Sequence, residues 1–342
     1  MATYYVDGAV GDDANDGLSE GASGAKLTID AAVSLATTAG DIVYVKASAT
    51  YGEVVTLDAS GTTSAPIGVV GYTSTVGDGG RFVLDGTDTL TDGFFGSNRS
   101  YWYFHNMEVK NFTDNGFDQS AADGMRFVNC SIHDNGDRGI YVDNWTQIDR
   151  CEIYNNSVAG VWADQYCNIT NSLIYDNGGS YQVRCSGYSW YISRSVIAGA
   201  STYLVYLPWA GSFEHVTFDG KNTAHGIHCT SAFYPMTIQN CIFHDCNTAI
   251  NMPAGAYRSN QAGGANMFSS NTTDYANWTA TDDDFTGTPA FTDEAGGDYT
   301  LGPTSDAIGA ARGLGGAGSS NLDVGAYQTA AAAGGGRIVY AG

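Results

Sequence analysis

The chain has 342 residues and a formal net charge of −22, with 36 acidic side chains against 14 Lys and Arg. Nucleic acids and anionic membrane surfaces are bound through Lys and Arg, so this balance argues against both as partners. No apolar stretch approaches the length of a membrane-spanning helix, so we expect no membrane insertion. The 45 glycines and 22 tyrosines are typical of a turn-rich, all-β protein.

The first 40 residues predict a strand, a loop and a short helix. Residues 4–7 enter a strand without a basic, apolar leader, so either a signal has been removed or the protein does not use that export route. Residues 26–38 have apolar side chains at a loosely helical period, which Gly40 ends. A helix here would cap the first coil of a solenoid, whose open end exposes unpaired backbone and apolar surface.

Between residues 101 and 252 a six-residue motif recurs at steps of 23, 21, 21, 23, 21 and 25 residues. Apolar residues take its first, fourth and sixth positions, and Asn, Arg or His takes the third. In one continuous strand, strict alternation would place apolar residues at the first, third and fifth positions. We therefore predict a corner at the third residue, which resets the alternation between inward and outward side chains. Asn suits such a corner because it tolerates left-handed backbone angles. The residues at the fourth, central position are Met107, Cys130, Cys151, Ser172, Ser195, Val216 and Cys241.

A second strand recurs between the copies, at residues 139–142, 160–163, 181–184, 203–206 and 226–229. A turn of about 22 residues with three short strands is the coil of a parallel β-helix. The sequence therefore predicts an all-β, single-stranded parallel β-helix over residues 41–254. An irregular closing segment follows over residues 255–328, then a Gly/Ala hinge and a terminal strand over 329–342.

Short segments at both ends of the chain carry a resemblance to known proteins. They are residues 4–7, 15–19, 40–45 and 65–67 at the start and 289–293, 298–301, 305–308 and 323–327 at the end. In these segments the chain resembles the pectate-lyase-like right-handed β-helix superfamily. The resemblance covers about residues 3–328 and implies a right-handed coil with an N-terminal capping helix and a C-terminal wrapping tail. It leaves the function open, because members include lyases, hydrolases, epimerases, adhesins and viral spikes.

One outward face of the second strands predicts a binding surface. Flat aromatic rings beside hydrogen-bonding groups suit sugars, whose C–H faces stack while their hydroxyls form hydrogen bonds. The alternative is contact with a neighbouring subunit or with the wrapping tail. The residues on this face are Tyr141, Trp162, Arg184, Tyr206 and His228, with Asp143 and Asp164 beside them. We interpret a further aromatic ladder as structural stacking between coils: Trp145, Tyr166, Tyr188, Trp209 and Tyr234.

Asp143 and Asp164 are the candidate catalytic residues. They lie one coil apart, so their carboxyls could approach to about 5 Å, the spacing of a retaining glycosidase pair. Asp also commonly ends strands and begins turns, which needs no catalytic role. A polyuronate lyase needs a basic residue and a cation to neutralise the sugar carboxylate, and the sequence shows no basic cluster. The RxPxxR pattern of the pectate lyases is absent.

Metal and disulfide sites are weakly indicated. Residues 282–284, three consecutive aspartates, are the one place where calcium binding is conceivable, although an acidic loop without a ligand also fits. Cys130 and Cys151 fall on adjacent coils and could form a disulfide. The odd total of seven cysteines favours free, buried thiols instead.

Two functions remain open. In the first, the protein is a non-enzymatic surface protein of an assembly, such as a phage decoration or spike protein. It would contact other subunits through Arg337, Ile338, Val339 and Tyr340, a strand that can add to a sheet edge, and bind a host polysaccharide weakly. A homotrimer follows only from analogy with β-helix spikes. In the second, it is a secreted polysaccharide lyase or glycoside hydrolase acting in the same groove. Either function places it on a virion surface or outside the cell.

Overall fold

The structure is a computed structural model that describes residues 1–209, 211–231, 236–254, 264–311 and 323–326. It divides into two compact units, residues 1–188 and 189–342, which we describe in turn. Both consist of short strands joined by tight turns. Within the described ranges one helix is present, α1 (Ile29–Val33), and no helix is long and apolar enough to cross a membrane.

The first unit contains the N-terminal segment and the first coils. Its strands are β1 (Thr3–Asp7), β2 (Ile42–Lys46), β3 (Thr50–Tyr51), β4 (Val55–Thr56), β5 (Ile67–Tyr72), β6 (Phe82–Asp85), β7 (Phe94–Phe95), β8 (Trp102–Lys110), β9 (Phe117–Gln119), β10 (Arg126–His133), β11 (Arg138–Val142), β12 (Gln147–Asp149), β13 (Glu152–Tyr154), β14 (Ala159–Ala163), β15 (Asn168–Thr170), β16 (Leu173–Tyr175) and β17 (Tyr181–Cys185).

The second unit contains the later coils and the closing segment. Its strands are β18 (Trp190–Ser193), β19 (Val196–Ala198), β20 (Tyr203–Leu207), β21 (Gly211–Glu214), β22 (Thr217–Asp219), β23 (His225–Cys229), β24 (Thr237–Gln239), β25 (Ile242–His244), β26 (Thr248–Asn251), β27 (Met267–Ser269), β28 (Thr273–Ala276), β29 (Phe285–Thr286), β30 (Phe291–Asp293) and β31 (Asp298–Leu301).

Each coil strand pairs in parallel with the strand one coil away. In the first unit Met107 lies beside Cys130, and Tyr141 beside Trp162. In the second unit Phe218 lies beside Phe243. Each pair is separated in sequence by the repeat distance, because one turn of the chain returns the backbone to the same edge. This pairing confirms the predicted parallel β-helix.

The third residue of every motif copy forms the predicted corner. All seven have a φ between 47° and 58°, in the left-handed region. The corner turns the following residues inward, and the seven central residues are accordingly buried. Asn is favoured at such corners because its short polar side chain tolerates this backbone. The corner residues are Asn106, Asn129, Arg150, Asn171, Arg194, His215 and Asn240.

Aromatic rings stack along the interior of each unit. Phe94 and Phe117 lie 4.9 Å apart between centroids with planes 3° apart. Phe218 and Phe243 of the second unit stack at 4.8 Å and 10°. All four side chains are fully buried. Coils about 4.8 Å apart bring like rings to stacking distance, so this column contributes packing as well as burial.

A ladder of buried amides runs beside that hydrophobic column. The Asn135 amide donates to the Asn156 side-chain oxygen at 2.8 Å, and the Asn156 amide donates to Asn177 at 2.8 Å. Gln182 ends this run, with its oxygen accepting from the Asn177 amide at 2.9 Å. The amides also donate to main-chain carbonyls, among them that of Ile132. A buried polar group is stable only when hydrogen-bonded, so each amide depends on its neighbours in the ladder.

The helix near the N-terminus is shorter than the sequence indicated. Residues 26–38 were expected to be helical, but α1 spans only Ile29–Val33. The Thr28 hydroxyl caps it, and the Glu53 carboxylate accepts from the backbone N–H groups of Ile29 and Asp30 at 2.9 Å. The predicted span of residues 26–38 would make about three and a half helical turns. The helix α1 makes little more than one, because residues beyond 34 make the shorter backbone hydrogen bonds of turns.

The coils continue past residue 254, where the sequence placed their end. β27 pairs in parallel with β25, and β28 with β26. Phe268 on β27 stacks on Phe243 at 5.3 Å between centroids. This coil keeps the repeat step, since Ile242 pairs with Met267, but its residues depart from the six-residue motif, with Ala265 at the third position and Asn266 at the central one. One further coil therefore precedes the closing hairpin of β30 and β31.

That hairpin is attached to the second unit by ionic and hydrogen-bonding contacts. The Lys221 ammonium lies 2.6 Å from an Asp219 oxygen and 3.1 Å from a Glu294 oxygen. The Tyr299 hydroxyl donates to buried Asp219 at 2.8 Å. The remainder of the predicted wrapping tail is described only over residues 302–311 and 323–326. The terminal strand at Arg337–Tyr340 lies outside the described residues.

All seven cysteines are buried and unbridged. Cys130 and Cys151 lie on adjacent coils, as the repeat indicated. Burial, followed by the neighbouring Cys151, raises the pKa of the Cys130 thiol well above its usual value. These side chains serve as small apolar residues of the interior.

We expect the amide ladder to be a major source of stability. Asn156→Leu would leave the Asn135 amide and the Ile132 carbonyl without their buried partner, which should lower the free energy of unfolding by about 3 kcal/mol. Urea unfolding followed by circular dichroism measures the change. Asn168→Leu, at an exposed strand position, is the matched control and should change stability by less than about 0.5 kcal/mol. Equal effects of the two substitutions would contradict the ladder's role.

Candidate functional site

The second strand of each coil turns two side chains outward, at its first and fourth positions. On β11 these are Arg138 and Tyr141, and on β17 they are Tyr181 and Arg184, all half-buried. β14 carries Trp162 at the fourth position, but its first position is Ala159, which is fully buried. The predicted face is therefore two columns of side chains wide.

The arginines of this face pack on the aromatic rings. The Arg184 guanidinium lies 3.6 Å from the centroid of the Trp162 ring, and that of Arg138 lies 4.3 Å from the same ring. Arg138 reaches across because its neighbour one coil on, Ala159, has only a methyl group. Cation–π contacts of this kind contribute roughly 0.5–2 kcal/mol each. A sugar cannot stack on a ring face that a guanidinium already covers, so Trp162 is not a stacking platform and instead forms one wall of the cleft described next.

A cleft of about 300 Å³ opens beside that wall. Its polar residues form one column across four coils, since Gln119 pairs with Val142 and Ala163 with Cys185 just before them. The Asp164 N–H donates to the Asp143 carbonyl at 3.2 Å, which confirms that the two aspartates occupy adjacent coils. The lining residues are Ser120, Ala121, Tyr141, Val142, Asp143, Trp162, Asp164 and Ser186.

The two carboxyl groups of the cleft interact electrostatically. Burial raises the pKa of Asp143 above its ordinary value of 3.8, and the negative charges of Asp164 and Asp123 raise it further. Loss of water and a like charge both disfavour the ionised form. Asp143 therefore holds a proton more strongly than a free aspartate.

The other two predicted face residues, Tyr206 and His228, lie in the second unit. Their rings stack at 5.5 Å between centroids. Tyr203 contacts both of them, and His225 contacts Tyr203 and His228. Burial lowers the pKa of His225, and burial followed by the charge of His225 lowers that of His228. Both shifts favour the neutral form of the imidazoles.

Several site residues were missed by sequence reasoning. The first outward column was overlooked, although each of its members stands three residues before the predicted face residue of the same strand. The cleft serines were also overlooked, although they lie at the repeat spacing from Asp143 and Asp164. Extending the register by one coil on each side would have found both serines. The missed residues are Arg138, Tyr181, Tyr203, His225, Ser120 and Ser186.

The described residues do not gather metal ligands at Asp282–Asp284. The Asp284 carboxylate instead accepts from the Asn266 amide at 2.9 Å and the Thr281 N–H at 2.8 Å, which holds the loop. Over the described ranges, one group of three candidate ligands lies close enough for a metal: His244, Asp245 and Glu294. Lys221 already supplies a positive charge to Glu294, so we interpret this group as part of the hairpin attachment.

Comparison with known proteins supports the fold. Residues 85–186 match the family described as "Right handed beta helix region". Pectate lyase Pel9A superposes with a TM-score of 0.66 at 17% identity, covering 96% of each chain. This protein has the right-handed parallel β-helix fold. No curated protein matches it in sequence.

Two further solved structures align less closely with this β-helix. A rhamnogalacturonan lyase covers 79% of this chain and 74% of its own, at 14% identity and a TM-score of 0.45. The pectin methylesterase of Aspergillus niger covers 83% of this chain and 88% of its own, at 17% identity and a TM-score of 0.41. The family match and the Pel9A superposition confirm the predicted right-handed parallel β-helix fold.

The raised pKa of Asp143 predicts a pH-dependent stability difference. The folded β-helix holds this proton more tightly than the unfolded chain, so the resulting stability is present at low pH and is lost as the pH rises through the folded pKa. Asp143→Asn stays neutral at every pH. We therefore expect the variant to gain stability relative to the wild type above the folded pKa, and to lose that gain below the ordinary value of 3.8.

Urea unfolding across a pH series measures this difference. Asp176→Asn removes one negative charge at an exposed corner and is the matched control. A gain from Asp143→Asn that is the same at every pH, or that grows as the pH falls, would contradict the assignment.

Proposed function

We propose that the first unit of this β-helix binds a neutral polysaccharide in the cleft at Asp143 and Asp164. The observation that carries the proposal is the arrangement of that cleft: four hydrogen-bonding side chains in a column beside an aromatic wall. Carboxylates and hydroxyls accept and donate hydrogen bonds to sugar hydroxyls, while Tyr141 and Trp162 exclude water from one side. Saccharides are the ligands with this mixture of hydroxyl groups and apolar C–H surface.

The charge of the protein favours a neutral saccharide over an acidic one. Asp143 and Asp164 both face the cleft, and the chain as a whole carries −22. Of the two arginines beside the cleft, Arg184 lies over the Trp162 ring and Arg138 is already paired with Asp137 at 2.7 Å. A sugar carboxylate or sulfate entering here would meet like charge, which lowers both affinity and association rate.

Affinity electrophoresis and calorimetric titration against xylan, mannan, β-glucan and polygalacturonate test the proposal. We expect a neutral polysaccharide to bind and polygalacturonate to be excluded. Removing one charged hydrogen-bond acceptor typically costs about 1.5–3 kcal/mol, so Asp164→Asn should weaken binding about ten- to a hundredfold. Asp176→Asn should bind like the wild type. Binding that survives both Asp143→Asn and Asp164→Asn unchanged would exclude the cleft.

Glycoside hydrolysis is the second candidate, and the raised pKa of Asp143 favours it. A general acid must be protonated near working pH, while its partner stays ionised. Asp143 would give its proton to the glycosidic oxygen as the bond to the anomeric carbon breaks. Asp164 would attack that carbon, and water would then release the sugar while returning a proton to Asp143. The lining residues, all described, include no Lys or His, so the cleft offers no base suited to a lyase.

The two candidates differ in a simple assay. Hydrolysis generates new reducing ends that Asp164→Asn abolishes, whereas pure binding generates none. If reducing ends form and Asp164→Asn removes them while the polysaccharide still binds, the protein is a hydrolase. If wild-type protein binds saturably without releasing reducing ends, the non-enzymatic function is supported.

We also propose a location on a virion surface or outside the cell, with partner subunits of the same assembly and a homotrimer. Arg337–Tyr340 would add a strand to the sheet edge of another chain. Deleting residues 329–342 should then reduce self-association or attachment to the particle, measured by light scattering and by co-sedimentation with virions. The full chain with Ile338→Lys and Tyr340→Lys is the matched variant that keeps the length. Unchanged assembly in both would refute the contact.

A further inference from the structure

Two aromatic side chains project into solvent just beyond the cleft. Trp145 is 55% exposed and Tyr166 is 38% exposed. Their rings stack at 4.0 Å between centroids, with planes 7° apart. From the sequence, the aromatic ladder to which both residues belong was interpreted as structural stacking between coils. Structural packing accounts for the shared face of the two rings but not for the extent of their exposure.

The backbone at these residues adopts an unfavourable conformation for their type. Trp145 has a φ of 60° and Tyr166 a φ of 54°, both in the left-handed region. Bulky residues rarely adopt it, whereas Gly adopts it readily. Gly124, at the same corner one coil earlier, has a φ of 72°. The corner needs this backbone angle but does not need an aromatic ring, so the rings are not explained by the turn alone.

The coil before Trp145 has a glycine, Gly124, at the equivalent corner. The Gly124 N–H donates to the Asn144 carbonyl, and the Trp145 N–H donates to the Gln165 carbonyl, so the three corners lie in register. Gly124 has no side chain to place over Trp145. A Cβ at Gly124 would lie 2.4 Å from Cδ1 of Tyr101, whose ring occupies that space instead. Within residues 1–188, all described, the ring contact of Trp145 is with Tyr166.

We propose that Trp145, supported by Tyr166, is a second saccharide position, on which one sugar of the bound polysaccharide stacks its C–H face. This inference rests on the proposed function of the cleft. Asp143 and Trp145 are two residues apart, as are Asp164 and Tyr166, so their Cα atoms are separated by at most about 7 Å. The carboxylates and the exposed rings therefore lie on the same two coils. A chain of neutral sugars would form hydrogen bonds in the cleft and stack on the ring beside it.

A length series of oligosaccharides tests this position. Xylo-, manno- and cello-oligosaccharides from disaccharide to hexasaccharide would be titrated into the full chain. Short members reach only the cleft, and longer members also reach Trp145, so the affinity of the wild type should rise with length. Trp145→Leu should lose about three- to tenfold in affinity for the long members only. Trp145→Phe keeps a stacking ring and should retain most of the affinity for the long oligosaccharides.

Trp145→Gly controls for damage to the corner, because Gly suits the left-handed backbone. It should bind like Trp145→Leu while unfolding cooperatively. Tryptophan quenching by acrylamide gives an independent readout. The longest oligosaccharide should reduce quenching in the wild type, and Trp145→Phe should lack that protected component.

The outcomes separate this inference from the proposed function. If Trp145→Leu and Trp145→Gly bind every oligosaccharide like the wild type while Asp164→Asn binds weakly, the second position is wrong and the cleft remains. If Asp164→Asn also binds like the wild type, or no oligosaccharide binds the wild type, both are wrong. If Trp145→Leu changes the mass in solution but not saccharide binding, the rings join copies of the chain, which overturns the proposal.

Discussion

Backbone hydrogen bonding between successive coils is the constraint on which the structure depends. It places each position of one turn beside the same position of the next, so that Met107 lies beside Cys130 and Tyr141 beside Trp162. Every property of a coil position is thereby repeated along the unit. Inward positions become columns of stacked rings and amides, and outward positions become columns of charge, hydroxyl or aromatic surface. The cleft is one such column, because Ser120, Asp143, Asp164 and Ser186 share a register.

The columns also explain which features the sequence could predict. The repeat period and the corner at Asn129 could be predicted, because each follows from the residue types that recur at fixed positions of the motif. The packing of Arg138 over Trp162 could not, since it depends on the small size of Ala159, a third residue on the neighbouring coil. The coil after residue 254 could not, because its residues depart from the six-residue motif although its strands keep the repeat step, with Ile242 paired with Met267. The cleft could be predicted in part. Its aspartates were identified from the sequence, whereas its serines would have been found only by extending the strand register by one coil on each side.

The distribution of charge limits the ligands that the surface can accept. Many of the few cations are held by carboxylates: Lys46 lies 2.9 Å from Asp7, and Lys110 binds Glu108 at 2.6 Å. Arg138 is paired with Asp137 and also covers an aromatic ring. These cations are neutralised by nearby carboxylates, and the acidic side chains that remain leave an excess of negative charge. A ligand of hydroxyl groups avoids the repulsion that an anionic chain would meet.

The corner that follows the second strand shows how a fixed backbone leaves room for function. Tyr101, Gly124, Trp145 and Tyr166 all have a positive φ there, because the coil must turn at this point. The fold therefore sets the backbone angle without setting the side chain. Where the corner carries Gly124, the ring of Tyr101 lies over it, whereas the rings of Trp145 and Tyr166 project outward on the coils that carry Asp143 and Asp164. A binding surface can thus change by substitution at corners while the amide ladder and the stacked rings inside stay the same.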